Sequence, residues 1–246
     1  MSDRILRQVS GGLCTLTLNR PDKLNALDTE TFQALDGHLA AIEQDDSVGC
    51  VLLRAEGRAF CAGADLNALD GALASLPPSF KPRVVERLAR LPKPVVAAVH
   101  GVCFTGGVEL VLAADFIVAE ATSRFADTHG KWGFVGAWGI TQRLPRRIGI
   151  AAAKRMMMTA RIVEAPEALA MGLIDIVAPV GELDAVVAGF TGEILANSWH
   201  TNFATKRLIL ETDGMSLAEG LAHESYRYPG LAPDYKERIA RFTKKG

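Results

Sequence analysis

The sequence predicts an α/β protein, and the order of elements in its first two thirds carries that prediction. The segment LCTLTL alternates like a half-buried strand, and GCVLLRA is a continuous apolar run typical of a buried strand. Between them, an amphipathic helix begins at a cap, Asp28 or Thr29, and ends near Gln44. A strand, a helix and a strand in this order favour parallel pairing through a right-handed crossover.

The same unit recurs further along the chain. PVVAAVHG is predicted as a buried strand, GGVELVLAA as a short helix and DFIVAEA as another strand. After TQRLPRRIG the pattern becomes helical, and LIDIVAP is the one late strand candidate. The helices predicted there run from Ile150 to Ala160, Pro166 to Met171, Leu183 to Ala196, Thr201 to Glu211, Ser216 to Tyr226 and Pro233 to Phe242.

Composition excludes several classes of partner. The 27 basic and 28 acidic residues give a formal net charge of −1, so no overall field attracts nucleic acid or an anionic membrane. MSDRILRQVS lacks an apolar signal core, and the longest apolar runs carry acids and are too short to span a membrane. The four widely spaced cysteines have no metal-ligand spacing. We therefore expect a cytoplasmic protein with reduced thiols, no metal, and no nucleic acid or membrane partner.

Two glycine-bearing segments offer exposed backbone rather than a nucleotide signature. Small residues at Ala62, Gly63 and Ala64 follow a strand, and Gly106 with Gly107 opens a short helix. One N–H group from each segment would form an oxyanion hole for a ligand carbonyl. The alternative is that these glycines only form tight turns, and spacing alone does not decide between the two.

Glu109 is the first candidate acid or base. It lies in the first turn of GGVELVLAA, where a carboxylate also suits the helix dipole as a cap. Because its neighbours are apolar, we expect a partly buried carboxylate with a raised pKa, as acid/base chemistry near neutral pH requires.

Six segments in order along nearly the whole chain resemble the crotonase superfamily, the enoyl-CoA hydratase/isomerase family. They are LNRPDKLNALD, GRAFCAGADL, KPVVAAVHG, TGGVELVLAADFIVA, RFADTHGKWGFVGAWGITQRLPRRIG and AMGLIDIVAP. The resemblance implies the crotonase (ClpP-like) fold, a spiral of repeated ββα units. Residues 1–190 would form this core with a CoA-thioester site, and residues 191–246 a helical C-terminal trimerisation region of a homotrimer or homohexamer.

The resemblance also implies an acyl-CoA thioester as ligand, with coenzyme A as part of the substrate and no further cofactor. The family's oxyanion donors match the backbone N–H groups of Ala64 and Gly106. A C-terminal Lys or Arg would assist at the CoA phosphates, and the segment from residue 67 to 87 would border the acyl chain. The matching substrate and CoA positions are Lys23, Ala26, Ala62, Asp65, Leu66 and Gly107, with Trp132 and Trp138 as expected pocket walls.

One position departs from the hydratases of this family, which use two glutamates. Glu109 matches the first, and counting back from TQRL places His129 at the second. A histidine can move protons at neutral pH but needs the correct tautomer, which Asp127 would set. The alternative is a structural loop histidine. A tryptophan at position 138 is also unlike the family's small residues and is expected to shorten or reshape the acyl pocket.

The function that the resemblance favours is hydration of a 2-enoyl-CoA, with Glu109 and His129 as acid/base groups. Three alternatives stay open. Glu109 alone would serve double-bond isomerisation, His129 would serve thioester or C–C bond hydrolysis, and loss of the second glutamate would leave a non-catalytic acyl-CoA binder.

Overall fold

The fold, seen in a computed structural model that describes residues 3–66 and 76–243, is built on two sheets. The larger sheet has six strands in the order β1-β2-β3-β4-β6-β9, and the smaller has the order β5-β7-β8. The strands are β1 Ile5–Ser10, β2 Leu13–Leu18, β3 Cys50–Ala55, β4 Val95–Val99, β5 Val102–Phe104, β6 Phe116–Glu120, β7 Arg124–Ala126, β8 Val163–Glu164 and β9 Ile176–Ala178.

Parallel pairing dominates the larger sheet, as the strand, helix, strand order predicted, whereas in the smaller sheet β7 pairs parallel with β5 and antiparallel with β8. In the larger sheet β1 runs antiparallel to β2, and each later pair of neighbours is parallel. The described helices are α1 Thr29–Glu43, α2 Phe80–Ala89, α3 Gly106–Val111, α4 His129–Trp132, α5 Ile140–Ile148, α6 Ile150–Thr159, α7 Ala165–Ala170, α8 Leu183–Ala196, α9 Trp199–Glu211, α10 Leu217–Arg227 and α11 Tyr235–Thr243.

The first crossover follows directly from its sequence. Asp28 caps α1, because its side chain accepts a hydrogen bond of 2.8 Å from the Thr31 N–H group. Phe32, Leu35 and Leu39 recur at helical spacing and are buried in the core beneath the sheet. The α/β class is thus confirmed, and the helical C-terminal third follows the sheets as expected.

The contacts between the C-terminal helices and the sheet region include an aromatic contact at Gly49 and a buried ion pair. The Trp199 indole lies where a Cβ atom at Gly49 would be, 2.2 Å from that position. The Lys206 ammonium group lies 2.7 Å from the Asp115 carboxylate, and burial lowers the pKa of Lys206 and raises that of Asp115. Helix α8 runs through the predicted boundary at residue 190, and the division into two domains stays a prediction.

Several short elements were not predicted from the sequence. Strands β5, β7 and β8 have only two or three residues each, too few to show a period. Helix α5 contains Pro145, which the sequence marks as a helix breaker. Over residues 3–66 and 76–243, every helix is too short or too polar to cross a lipid bilayer.

Gly49→Ala tests the attachment of the C-terminal helices. The added methyl group would collide with the Trp199 indole, and overpacking of this kind costs about 1–3 kcal/mol. We expect the free energy of unfolding, measured by urea denaturation, to fall by that amount.

Gly37→Ala is the matched control for this substitution. Gly37 lies inside α1 with no atom within 4 Å of an added Cβ, so alanine should stabilise the helix by about 0.5–1 kcal/mol. Equal effects of the two substitutions would contradict the close contact between Gly49 and Trp199.

Candidate active site

A cavity of about 410 Å³ opens where the segment after β3 meets α3, α4 and the residues before α5. Its lining includes eight of the residues predicted for the site: Ala62, Ala64, Leu66, Gly106, Glu109, His129, Trp132 and Trp138. The fold therefore brings together the predicted acid/base pair, both predicted oxyanion donors and both predicted tryptophan walls.

The two glycine-bearing segments approach each other at this cavity. The Phe104 N–H group donates to the Cys61 carbonyl over 2.9 Å, which ties the end of β5 to the segment that carries Ala64. A Cβ atom at Gly106 would lie 3.3 Å from the Ala64 nitrogen. Among the described residues, the N–H groups of Ala64 and Gly106 have no acceptor. Both groups are therefore available to a ligand oxygen.

Thr105 holds the start of α3 in an unusual conformation. Its φ of 53° and ψ of −110° lie in a region that a β-branched residue rarely adopts, which costs about 1–3 kcal/mol. Two hydrogen bonds compensate for this strain, from the Thr105 N–H group to the Ala126 carbonyl at 2.8 Å and between the Thr105 and Thr128 hydroxyls at 2.6 Å. These contacts hold the residue directly before the Gly106 amide in place.

The Glu109 side chain is buried, with 1% of its surface exposed. Its Oε1 atom accepts hydrogen bonds from the Trp138 N–H group at 2.7 Å and the Ile140 N–H group at 3.4 Å. Burial raises the pKa of Glu109 and outweighs the opposite effect of these donors and of His129. The predicted buried carboxylate is thus present, with Oε1 occupied and Oε2 left for chemistry.

His129 is oriented by a carboxylate two residues earlier. Its Nδ1 atom lies 2.6 Å from Asp127 Oδ1, and the Asp127 side chain is buried. Burial disfavours the charged imidazole, but the hydrogen bond and charge of Asp127, together with the charge of Glu109, outweigh it and raise the pKa of His129. The proton on Nδ1 is held by Asp127, so Nε2 is the ring atom that faces Glu109.

Glu109 and His129 lie close enough to share one small molecule. Glu109 Oε2 and His129 Nε2 are 3.8 Å apart, too far for a direct hydrogen bond. A single water about 2.8 Å from each atom would bridge them at an angle of about 85°. Gly136 borders both groups, since a Cβ atom there would lie 3.2 Å from Glu109 Oε1 and 3.2 Å from His129 Cε1. The arrangement can therefore hold a water between two acid/base groups.

Four predicted CoA positions are not part of the cavity lining. Lys23 ends an exposed 3-10 turn, Pro21–Lys23, and Gly107 is buried against Cys61. The Ala26 carbonyl and the Asp65 carboxylate both accept hydrogen bonds from the Arg20 guanidinium, at 2.5 and 3.0 Å. The roles of these residues in CoA binding stay predictions. Residues 67–75 of the predicted acyl-chain border and the lysines at 244 and 245 lie outside the described residues.

Several cavity residues were missed by sequence reasoning. Thr105 has no sequence signal, because only its backbone angles and its hydroxyl contact reveal its role. Phe104 and Phe134 carry no chemistry-bearing group and become recognisable only as walls. Lys131 could have been noticed as the one cation in GKWG, two residues after His129 in the sequence.

The two sheets, the helical C-terminal third and two available amides beside a buried acid/base pair agree with the resemblance of the sequence to the crotonase superfamily. The family description Enoyl-CoA hydratase/isomerase matches residues 8–245, so the chain belongs to that family. The chain is 34% identical to the 1,2-epoxyphenylacetyl-CoA isomerase of Escherichia coli, covering 100% of this chain and 97% of that protein.

Two further comparisons name hydratases. The chain is 30% identical to the short-chain-enoyl-CoA hydratase of Clostridium acetobutylicum, covering 99% of this chain and 95% of that protein. The crystal structure of an enoyl-CoA hydratase from Bacillus anthracis superposes with a TM-score of 0.91 at 30% identity, covering 98% of this chain and 96% of that chain.

Asp127→Asn tests the electrostatic coupling at His129. The amide keeps an acceptor for the Nδ1 proton but removes the negative charge, so the pKa of His129 should fall. NMR titration of the imidazole signals measures this, and the other four histidines serve as internal references. An unchanged or higher pKa at His129 would contradict the contact.

Proposed function

We propose that this chain hydrates 2-enoyl-CoA thioesters. One observation carries the proposal: Glu109 Oε2 and His129 Nε2 lie 3.8 Å apart in the cavity that also presents the free amides of Ala64 and Gly106. The names of the hydratase relatives support the same reaction.

The amides of Ala64 and Gly106 would bind the thioester oxygen. When water adds at Cβ, enolate charge develops on that oxygen, and donors already in place stabilise it without reorganisation. Thr105 supports this role because its strained backbone fixes the Gly106 amide before the substrate arrives.

Glu109 and His129 would divide the proton transfers. Glu109 Oε2 takes a proton from the bridging water as the water oxygen bonds to Cβ, and the electron pair of the double bond moves through Cα to the thioester oxygen. His129, protonated on Nε2, then gives its proton to Cα. The raised pKa of His129 favours the protonated form that this step requires.

The pair would reset itself without a proton from bulk solvent. After one turnover Glu109 is protonated and His129 is neutral, with its Nδ1 proton still held by Asp127. Because 3.8 Å is too long for direct transfer, the next bridging water relays the Glu109 proton to His129 Nε2 and restores the starting state. Water has then been added to the substrate with no net change in the enzyme.

The remaining site and assembly roles belong to the same proposal. Ala62, Leu66 and Trp132 would contact the thioester arm of CoA, and Lys23, Ala26, Asp65 and Gly107 would support its binding, with no cofactor beyond CoA itself. Helices α10 and α11 expose large apolar side chains such as Tyr226 and Phe242, which supports assembly as a homotrimer or homohexamer. We place the protein in the cytoplasm.

Double-bond isomerisation is the second candidate. It needs one base to move a proton between two carbons, and Glu109 is the one carboxylate in the described cavity lining. The isomerase relative from Escherichia coli favours this alternative. Mass spectrometry separates the reactions, because hydration adds the mass of water and isomerisation adds none.

Glu109→Gln should lower kcat by about 10²–10⁴-fold, because the amide cannot accept the water proton. The amide oxygen can still accept from the Trp138 N–H group, so the cavity should keep its shape. Loss of the enoyl absorbance of crotonyl-CoA follows the reaction, and calorimetry with butyryl-CoA checks that binding persists. Full turnover by this variant would remove Glu109 from the mechanism.

The pH dependence of hydration provides a separate test. The rate should fall as the pH rises through the raised pKa of His129, since the acid proton on Nε2 is then lost. Because Asp127→Asn lowers that pKa, the alkaline limb should move to lower pH.

Glu211→Gln is the matched control for the pH profile. It removes the carboxylate that lies 2.8 Å from His223, a histidine outside the cavity lining, and should leave the alkaline limb in place. Equal shifts in both variants would assign the limb to a group other than His129.

A further inference from the structure

We propose that the Trp138 indole is a fixed wall that limits the site to short acyl chains, with crotonyl-like thioesters as the substrate class. The proposal rests on the proposed function for the identity of the ligand as an acyl-CoA. Its physical basis is separate, because it concerns the space beside the reacting atoms rather than the proton transfers.

The indole lies directly against the oxyanion donors. A Cβ atom at Gly106 would lie 2.5 Å from Trp138 Cζ3, and the same position is 3.3 Å from the Ala64 nitrogen. A thioester oxygen bound to these amides, with its Cα–Cβ bond beside Glu109, therefore brings the next carbons of the acyl group against the indole. The wall stands at the start of the acyl pocket.

Aromatic and cationic contacts support the indole from behind. The rings of Trp138 and Phe32 meet edge to face, with centroids 4.8 Å apart and planes at 70°. The Lys81 ammonium group lies 5.7 Å from the centroid of the Phe32 ring. A rotation of the indole toward α1 would displace the Phe32 ring.

Backbone contacts hold the same residue on its other sides. The Trp138 N–H group donates to Glu109 Oε1 over 2.7 Å, and its carbonyl accepts from Arg143 over 2.9 Å. Arg143 in turn lies 2.5 Å from the Glu86 carboxylate on α2. Rotation of the Trp138 main chain would break the contact that positions Glu109. The main chain that carries the indole is therefore held at both its N–H group and its carbonyl group.

The exposed part of the cavity lining contrasts with this wall. Trp132 is 58% exposed and Phe134 is 46% exposed, and Leu66 at the same rim is 43% exposed. That open rim suits the pantetheine arm, which must reach solvent with the rest of CoA. An acyl chain that runs away from this rim meets the Trp138 indole, which among the described residues lies 2.5 Å from the position of a Cβ atom at Gly106.

The experiment compares ligands of two lengths in wild-type protein, Trp138→Phe and Trp138→Ala. Calorimetry gives Kd for butyryl-CoA and decanoyl-CoA, and absorbance gives kcat/KM for crotonyl-CoA and 2-decenoyl-CoA. We expect the wild type to favour the shorter ligand by at least tenfold. Trp138→Ala should shift that ratio toward the longer ligand by about tenfold or more, with Trp138→Phe between the two.

Trp132→Ala is the matched control, since it also replaces a tryptophan by alanine but does so at the exposed rim of the cavity. It should change the binding of both ligands in equal proportion and leave their ratio intact. A wild-type preference for the longer ligand would overturn the proposal. A ratio unchanged in both Trp138 variants, with a native circular dichroism spectrum and retained butyryl-CoA binding, would also overturn it.

The design separates this proposal from the proposed function. Saturated acyl-CoAs do not react, so their binding ratio tests the wall even if no enoyl-CoA is hydrated. If no enoyl-CoA is hydrated but the Trp138 variants change the ratio of the two Kd values, the proposed reaction is wrong and the proposed wall is supported. If hydration occurs but the Trp138 variants leave that ratio unchanged, the proposed wall is wrong and the proposed reaction is supported.

Discussion

The burial of the Glu109 carboxylate is the constraint on which the rest of the site depends. A buried carboxylate must have hydrogen-bond donors, and here they come from the Trp138 and Ile140 N–H groups. Those two donors fix the segment before α5, and that segment places Gly136 against both Glu109 and His129. The hydrogen bonds to Glu109 Oε1 thus position one wall of the cavity. Oε2 remains available as a base, and burial raises the pKa of the carboxyl group.

An imidazole opposite Glu109 gives the site different electrostatics from a second carboxylate at the same place. Two buried carboxylates would repel each other, and one would have to be protonated for the pair to share a water. An imidazole between Asp127 and Glu109 instead forms a chain of alternating charge when it is protonated. Glu109 and protonated His129 together hold one transferable proton, as two glutamates sharing one proton would. Here the contact of His129 Nδ1 with Asp127 determines that His129 carries that proton.

The sequence predicted most of what a regular period or a motif can encode. Helix α1 with its Asp28 cap, the apolar strands β3, β4 and β6, and α3 with Glu109 all lie where the patterns placed them. Strands of two or three residues and the helix containing Pro145 have no such pattern and depend on tertiary contacts. The His129 position required the register from TQRL, whereas its contact with Asp127 depends on the turn that begins α4, which spacing does not show. The role of Thr105 could not be predicted either, because its strained backbone angles cannot be inferred from the residue type.

Backbone groups supply most of the polar contacts that the proposed reaction uses. The amides of Ala64 and Gly106 face the cavity, and those of Trp138 and Ile140 hold Glu109, so these polar contacts require no particular side chain at the four positions. Packing restricts two of them, because any Cβ at Gly106 would strike the indole and the Ile140 side chain is buried in the core. The side chain of Trp138 can therefore set the size of the acyl pocket while its main chain orients the carboxylate. Substrate range and proton transfer are separable in this site because they use different atoms of the same residue.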